Sequence, residues 1–251
     1  MNAITASSWP YPRWIAHRGA GKLAPENTLA AFRLGAQHGY RMFECDAKLS
    51  ADGVPFLLHD ATLERTTNGR GTGGDLPLGA LAQLDAGSWH SRAYAGEAVP
   101  TLEALARFCI ANGYFLNIEI KPTPGQEETT GRVVGETAAR LWQGQPAPPL
   151  FSSFKPDALA GAQATAAHIP RALLLDTLWD GCLDTARRLG CVAIVCNHAL
   201  WDAALVAQVK GMGMRTLSYT VNDDWAAQRL IALGTDGIIT DRVDLFSPAT
   251  P

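Results

Sequence analysis

Phe43-Glu44-Cys45-Asp46-Ala47 closes an apolar, strand-like run that begins at Tyr40, and its reading decides how the rest of the chain is understood. In a β-strand, residues i and i+2 point to the same face. Glu44 and Asp46 therefore project side by side, while Cys45 turns the other way, toward covering helices. Two anions forced together in a half-buried place repel each other unless a cation or a shared proton lies between them. A divalent metal is the simplest resolution.

Outward from this run, short β-like stretches alternate with helical ones for almost the whole length. Trp14-Ile15-Ala16 precedes it and ends in His17-Arg18-Gly19. After a glycine-containing loop, Asn27 is placed to cap a helix carrying Leu29, Phe32 and Ala36 on one face, with Gly39 closing it. A tight turn at Asp52-Gly53 leads into Val54 to Leu58 and on to His59-Asp60. Strand-like segments recur at Tyr114–Ile120, Leu150–Ser152, Ala172–Leu175, Val192–Cys196, Thr216–Tyr219 and Gly237–Thr240. Eight core strands separated by helices predict an α/β chain folded as a closed (β/α)8 TIM barrel. The expected organisation is a single domain over residues 1–251, with a small insertion after the second strand at about residues 60–100, where the alternation gives way to glycine-rich sequence. An open doubly wound sheet fits less well, because Gly19-Ala20-Gly21 lacks the later glycine of a dinucleotide-binding turn.

Composition narrows the partners. An apolar fraction of 47% suffices for a core, and a net charge of -3 over 251 residues argues against sequence-independent nucleic-acid binding. The segment Met1 to Pro12 has no basic, then apolar, leader pattern, and no stretch is apolar enough to span a bilayer, so a cytoplasmic protein without stable membrane insertion is expected. Five cysteines without CxxC spacing read as buried thiols.

Polar residues collect where the strands end, which is where a barrel builds its active site. His17 and Arg18 end the first strand, Glu44 and Asp46 the second, Glu119 and Lys121 the third, Ser152 the fourth and Asn197 the sixth, while Asp241 follows the eighth. Glu119 joins Glu44 and Asp46 in an oxygen-rich set suited to one hard cation, Mg2+ or Ca2+. The bland alternative is a salt-bridge cluster with Arg18 and Lys121. His17 and His59 are the candidates for proton transfer, since imidazole titrates near neutral pH. Arg18 and Lys121 bring fixed positive charge suited to a phosphate. His38, His90 and His168 read as structural, and His198 as a substrate-side candidate. Trp89 reads first as part of the insertion's own core.

Taken in order, several segments resemble the glycerophosphodiester phosphodiesterase family: His17-Arg18-Gly19, Pro25-Glu26-Asn27-Thr28, Glu44-Cys45-Asp46, His59-Asp60 with Leu63 to Gly69, Val99-Pro100-Thr101-Leu102, Glu119-Ile120-Lys121, Phe151-Ser152-Ser153-Phe154 and Asp236 to Asp241. The resemblance implies a (β/α)8 barrel that hydrolyses small-molecule glycerophosphodiesters to glycerol 3-phosphate and an alcohol. It implies a divalent ion held by Glu44, Asp46 and Glu119, and His17 and His59 as acid and base in an order the sequence leaves open. The substrate's own 2-hydroxyl would be the nucleophile, giving a cyclic phosphate that water then opens. Tyr219-Thr220-Val221-Asn222 departs from the family's usual Trp at the first position, and Tyr219 and Phe154 are expected to wall the glycerol. A lysophospholipase D-type substrate and a non-catalytic barrel binding a phosphorylated ligand are the alternatives.

Overall fold

The computed structural model describes residues 9–246 and 248, so the part of the amino-terminal reading that rests on Met1–Ser8 lies outside the described residues. Strand β1 (Trp14–Ala16) pairs in parallel with β2 (Met42–Leu49) on one side and with the last strand on the other, which closes the ring. From β2 the order runs through β4 (Phe115–Ile120), β5 (Leu150–Ser153), β6 (Arg171–Leu175), β7 (Ala193–Asn197), β8 (Arg215–Tyr219) and β9 (Gly237–Thr240). The eight parallel strands make the expected TIM barrel. The remaining strand, β3 (Pro55–Leu57), lies antiparallel to the end of β2, outside the ring.

The period-2 alternation on each strand separates two apolar layers. Ile15, Met42, Ala172, Leu174, Ala193, Val195, Leu217 and Ile239 fill the barrel interior. Trp14, Phe43, Cys45, Leu116, Ile118, Leu173 and Ile194 face out against the helices. On β2 the inward residues are Met42, Glu44, Asp46 and Lys48, so this one strand climbs from apolar floor to charged mouth. Cys45 faces the helices, as expected, and all five cysteines are buried thiols.

The helices are set by local signals. Thr28, rather than Asn27, caps α1 (Leu29–Gln37): its hydroxyl accepts from the Ala31 amide at 3.3 Å. Asn27 instead sits at φ 60°, in the left-handed region that Asn tolerates better than most residues, and its side chain is committed to Asp46. Thr101 caps α3 (Leu102–Asn112), which Gly113 ends at φ 66°. Asp202 caps α7 (Ala203–Gly211), and α6 (Cys182–Arg188) and α8 (Asp224–Leu233) fill the remaining positions of the outer layer. Among the described residues, no helix is long and apolar enough to cross a membrane.

Between β3 and α3, residues 58–101 hold a short helix, α2 (Leu78–Leu81), and build a small core on Phe56 of β3 from Leu58, Leu63, Leu81, Ala86 and Val99. Trp89 is not part of it. The ring is 40% exposed, held by its indole N–H donating to the Ala86 carbonyl at 2.8 Å. The expectation of a core tryptophan fails: the N–H turns inward to the carbonyl of buried Ala86, and the rest of the ring is left outside.

Helices α4 (Glu127–Leu141) and α5 (Pro156–Thr165) touch backbone to backbone through glycines, and a Cβ on Gly131 would lie 1.9 Å from the Ala158 carbonyl oxygen. Gly131→Ala should gain about 1 kcal/mol of helix propensity and lose roughly 1–3 kcal/mol to overpacking. The prediction is a net loss of stability, read as a lower denaturant midpoint; an unchanged or higher midpoint would contradict this packing.

Candidate active site

The register places the acidic cluster. Asp46 on β2 lies directly beside Glu119 on β4, and Glu44 beside Asn117, so neighbouring strands carry carboxylates at the same height. One oxygen from each of Glu44, Asp46 and Glu119 falls within 4.8 Å of the others. Burial and the neighbouring anions Asp46 and Glu119 push the Glu44 carboxyl well up. Glu119 is pushed to about 7 by burial and by Asp46, against the pull of Lys121. Asp46 goes the other way. Burial alone would raise it, but Arg18 and Lys121 hold it low, and Asn27 donates to it at 2.8 Å. The Asp46 amide in turn donates to the Asn27 side chain at 3.1 Å.

Two cations stand on this cluster. The Arg18 guanidinium lies 3.2 Å from Asp46, and its backbone amide donates to Glu44 at 3.1 Å. That amide is aimed inward because Arg18 adopts φ 49°, a conformation costly for a residue with a side chain and common at functional sites. Lys121 donates to Glu119 at 3.0 Å and lies 3.6 Å from Asp46. Its carbonyl is held by Lys48, whose side chain is buried and whose ammonium burial pushes down to about 8.

The two histidines are built alike. His17 Nδ1 is 2.6 Å from Asp241, and His59 Nδ1 is 2.7 Å from Asp60. Asp241 is lowered to about 2: burial opposes this, and the hydrogen bonds from His17 and Asn222 prevail. Asp60 is lowered chiefly by Arg65. Both carboxylates are therefore ionised acceptors near neutral pH, so each Nδ1 donates to its carboxylate and each Nε2 is left to take or give a proton. His17 Nε2 points to Glu44 at 3.8 Å. Burial, with Arg18 and Lys121, lowers His59.

Behind the histidines stand residues that single-residue reading did not identify. Asn222 donates to Asp241 at 2.9 Å and accepts from its amide at the same distance. Arg65 grips Asp60 and reaches Glu26 with two bonds of 2.8 Å, while Glu26 also accepts from Arg18 at 2.9 Å. A chain of alternating charge thus runs from His59 through Asp60, Arg65 and Glu26 to Arg18. The only sequence signal for it was the presence of Glu26, Arg65 and Asn222 in the quoted segments.

Phe154 and Tyr219 meet edge to face at 5.6 Å, and Lys121 lies 5.7 Å above the Phe154 ring. Tyr219 lines the same small cavity as His17, Glu44, Asn117 and Glu119, with its hydroxyl donating to the Leu175 carbonyl at 3.1 Å. His198 is not gathered into this group. Its ring packs against Trp225, and Asn197 beside it caps the following turn.

The site can be set beside known proteins. Residues 17–245 match the model of the glycerophosphoryl diester phosphodiesterase family. A glycerophosphodiester phosphodiesterase from Caldanaerobacter subterraneus is 33% identical over 233 residues, covering 90% of this chain and 93% of its own. The structure of an Oleispira antarctica phosphodiesterase, in complex with the product sn-glycerol-3-phosphate, is 36% identical, with a TM-score of 0.87 and coverage of 95% of this chain and 96% of that one. A glycerophosphodiester phosphodiesterase structure from Agrobacterium tumefaciens is 29% identical, with a TM-score of 0.75 and coverage of 94% and 99%. The match over residues 17–245 and the shared barrel fold agree, and the chain belongs to the glycerophosphoryl diester phosphodiesterase family.

Proposed function

We propose that this chain hydrolyses small glycerophosphodiesters to glycerol 3-phosphate and an alcohol, using one divalent cation, Mg2+ or Ca2+, held by Glu44, Asp46 and Glu119. The observation that carries the reading is the pairing of two imidazoles, each with Nδ1 pinned by a carboxylate, with a three-carboxylate cluster between strands. The donor set fits a hard cation. Glu44 Oε1 and Asp46 Oδ1 are buried and accept no hydrogen bond, which is costly for a carboxylate without a cation. Bound there, the ion would draw charge from a phosphoryl oxygen and offset the mutual repulsion of the carboxylates.

The chain's own residues do the rest. Arg18 and Lys121 hold the phosphate oxygens and stabilise charge growing on them. In the first step the glycerol 2-hydroxyl oxygen attacks phosphorus. One histidine accepts the hydroxyl proton at Nε2, and the other, entering the step with both ring nitrogens protonated, donates its Nε2 proton to the departing alcohol oxygen as its bond to phosphorus breaks. In the second step water opens the cyclic phosphate, with the two histidines exchanging roles. Phe154 and Tyr219 wall the glycerol, the Tyr219 ring being fixed by its bond to Leu175.

A second reading, a lysophospholipid substrate, draws support from exposed apolar residues that follow barrel strands: Leu178 and Trp179 in the loop after β6, and Trp225 in the first turn of α8 after β8. Asp176, Asp180, Asp223 and Asp224 are interleaved with them, which keeps water-soluble diesters as the first reading. Turnover of lysophosphatidylcholine exceeding that of glycerophosphocholine would reverse this order.

Replacing His17 or His59 by Ala should each lower kcat by roughly 10²–10⁴, the usual worth of general acid–base catalysis, with the fold retained by circular dichroism. Chelation should abolish turnover and re-addition of the cation restore it. Activity within a few-fold of the parent in either variant, or after complete chelation, would defeat the mechanism.

Stability supplies an independent readout. Glu119, raised to about 7, binds its proton more tightly folded than unfolded, so its contribution is present at lower pH and lost as pH rises through about 7. The Tm of chelated protein should therefore fall across that window, and a saturating divalent cation should remove the fall, because a cation takes the proton's place. A Tm with the same pH dependence with and without cation would count against these carboxylates as its ligands.

A further inference from the structure

Beside the site lies an open cleft of about 430 Å3, bounded by His17, Arg18 and Lys22 on one wall and by Arg65, Trp89 and His90 of the insertion on the other. Its volume suits a small-molecule group, and it begins at His17 and at Arg18, one of the two cations to which the proposed mechanism gives the phosphate. The walls are latched to each other. The His90 ring nitrogen Nε2 donates to the Lys22 carbonyl at 3.0 Å, and the His90 ring meets Trp89 edge-on at 5.7 Å. The Lys22 wall is fixed to the catalytic end in turn, since its amide donates to the Asp241 carbonyl at 3.3 Å. A Cβ on Gly21 would lie 2.2 Å from Asp241 Cα, so the loop lies directly against the residue that orients His17.

The charges in the cleft are unequal once their partners are counted. Glu26 is occupied by Arg18 and Arg65, and Asp241 by His17 and Asn222. Arg65 is further matched by Asp60. Lys22 is exposed and, among the described residues, pairs with no carboxylate. The uncompensated charge in the cleft is therefore positive. Trp89 adds an open ring face with its N–H already turned inward to Ala86.

We propose that this cleft receives the leaving alcohol and selects an oxygen-rich head group, polyhydroxylated or anionic, over one bearing an ammonium. The inference rests on the diesterase reading above and assigns a head-group class to its site. Trp89 offers a flat apolar face on which a polyol ring stacks, and Lys22 donates to its hydroxyls or pairs with an anion. Trp89 alone would also attract a quaternary ammonium through its π face, so the sign of the charge at Lys22 decides the preference. This gives the insertion a specificity function.

The test compares kcat/KM for glycerophosphoinositol and glycerophosphocholine on the same preparation, so that any loss of folded enzyme cancels in the ratio. The parent should favour the inositol ester by about fivefold or more, the scale of one unit-charge contact in water. Lys22→Glu should reverse the preference, and Trp89→Ala should lower kcat/KM for both esters. A ratio unmoved by Lys22→Glu, or a parent that prefers the choline ester, would overturn the cleft assignment while leaving the diesterase reading intact. A parent that hydrolyses no diester would overturn both.

Discussion

Repulsion between three carboxylates at the barrel mouth is the constraint on which the rest of the site depends. Parallel register puts Asp46 beside Glu119, and the period of two puts Glu44 on the same face of β2 as Asp46. With all three largely buried, the protein has no solvent with which to spread this charge. Fixed cations answer part of it. Arg18 and Lys121 keep Asp46 ionised, yet Glu44 and Glu119 remain raised, and buried oxygens of Glu44 and Asp46 have no donor. The residual imbalance is what a divalent ion would satisfy.

The same imbalance organises the surrounding loops. Arg18 reaches Asp46 and presents its amide to Glu44 because its backbone is held at positive φ. Asn27, also at positive φ, returns to Asp46 with two hydrogen bonds and accepts no role in capping the helix beside it. Both residues hold unfavourable backbone conformations, and Gly19 and Gly35 pack closely around the loop, where a Cβ on Gly35 would meet the Gly19 carbonyl at 2.1 Å. Backbone strain, close packing and charge thus meet at one turn between β1 and α1. The relay through Glu26 and Arg65 then ties that turn to His59 in the insertion, while His17, next to Arg18 in the chain, is oriented separately by Asp241 and Asn222.

The architecture was legible in the sequence because a strand's inward face repeats every second residue. Glu44 and Asp46, and then Glu119 and Lys121, could be placed together before any fold was known, and the strand ends named the mouth. Local period carries no information about which loops converge once the ring closes. His17 and Asp241 lie 224 positions apart, and Glu26 and Arg65 39 apart, so their pairing appears only in three dimensions. Thr28 and Asn27 are both good caps by composition, and only the positive φ at Asn27 decides between them. Trp89 is misplaced for a similar reason: an aromatic residue in a glycine-rich segment reads as core until its N–H is seen to reach the core carbonyl of Ala86 from outside.

The most direct measurement of the central claim is anomalous diffraction from crystals of the full chain soaked in Mn2+, an oxygen-preferring ion. A single strong peak is expected among the carboxylates of Glu44, Asp46 and Glu119, at about 2.0–2.6 Å from their oxygens, the range of hard-cation coordination, and it should be lost in Asp46→Asn. A peak bound elsewhere with this cluster empty, or a peak unchanged in Asp46→Asn, would contradict that claim.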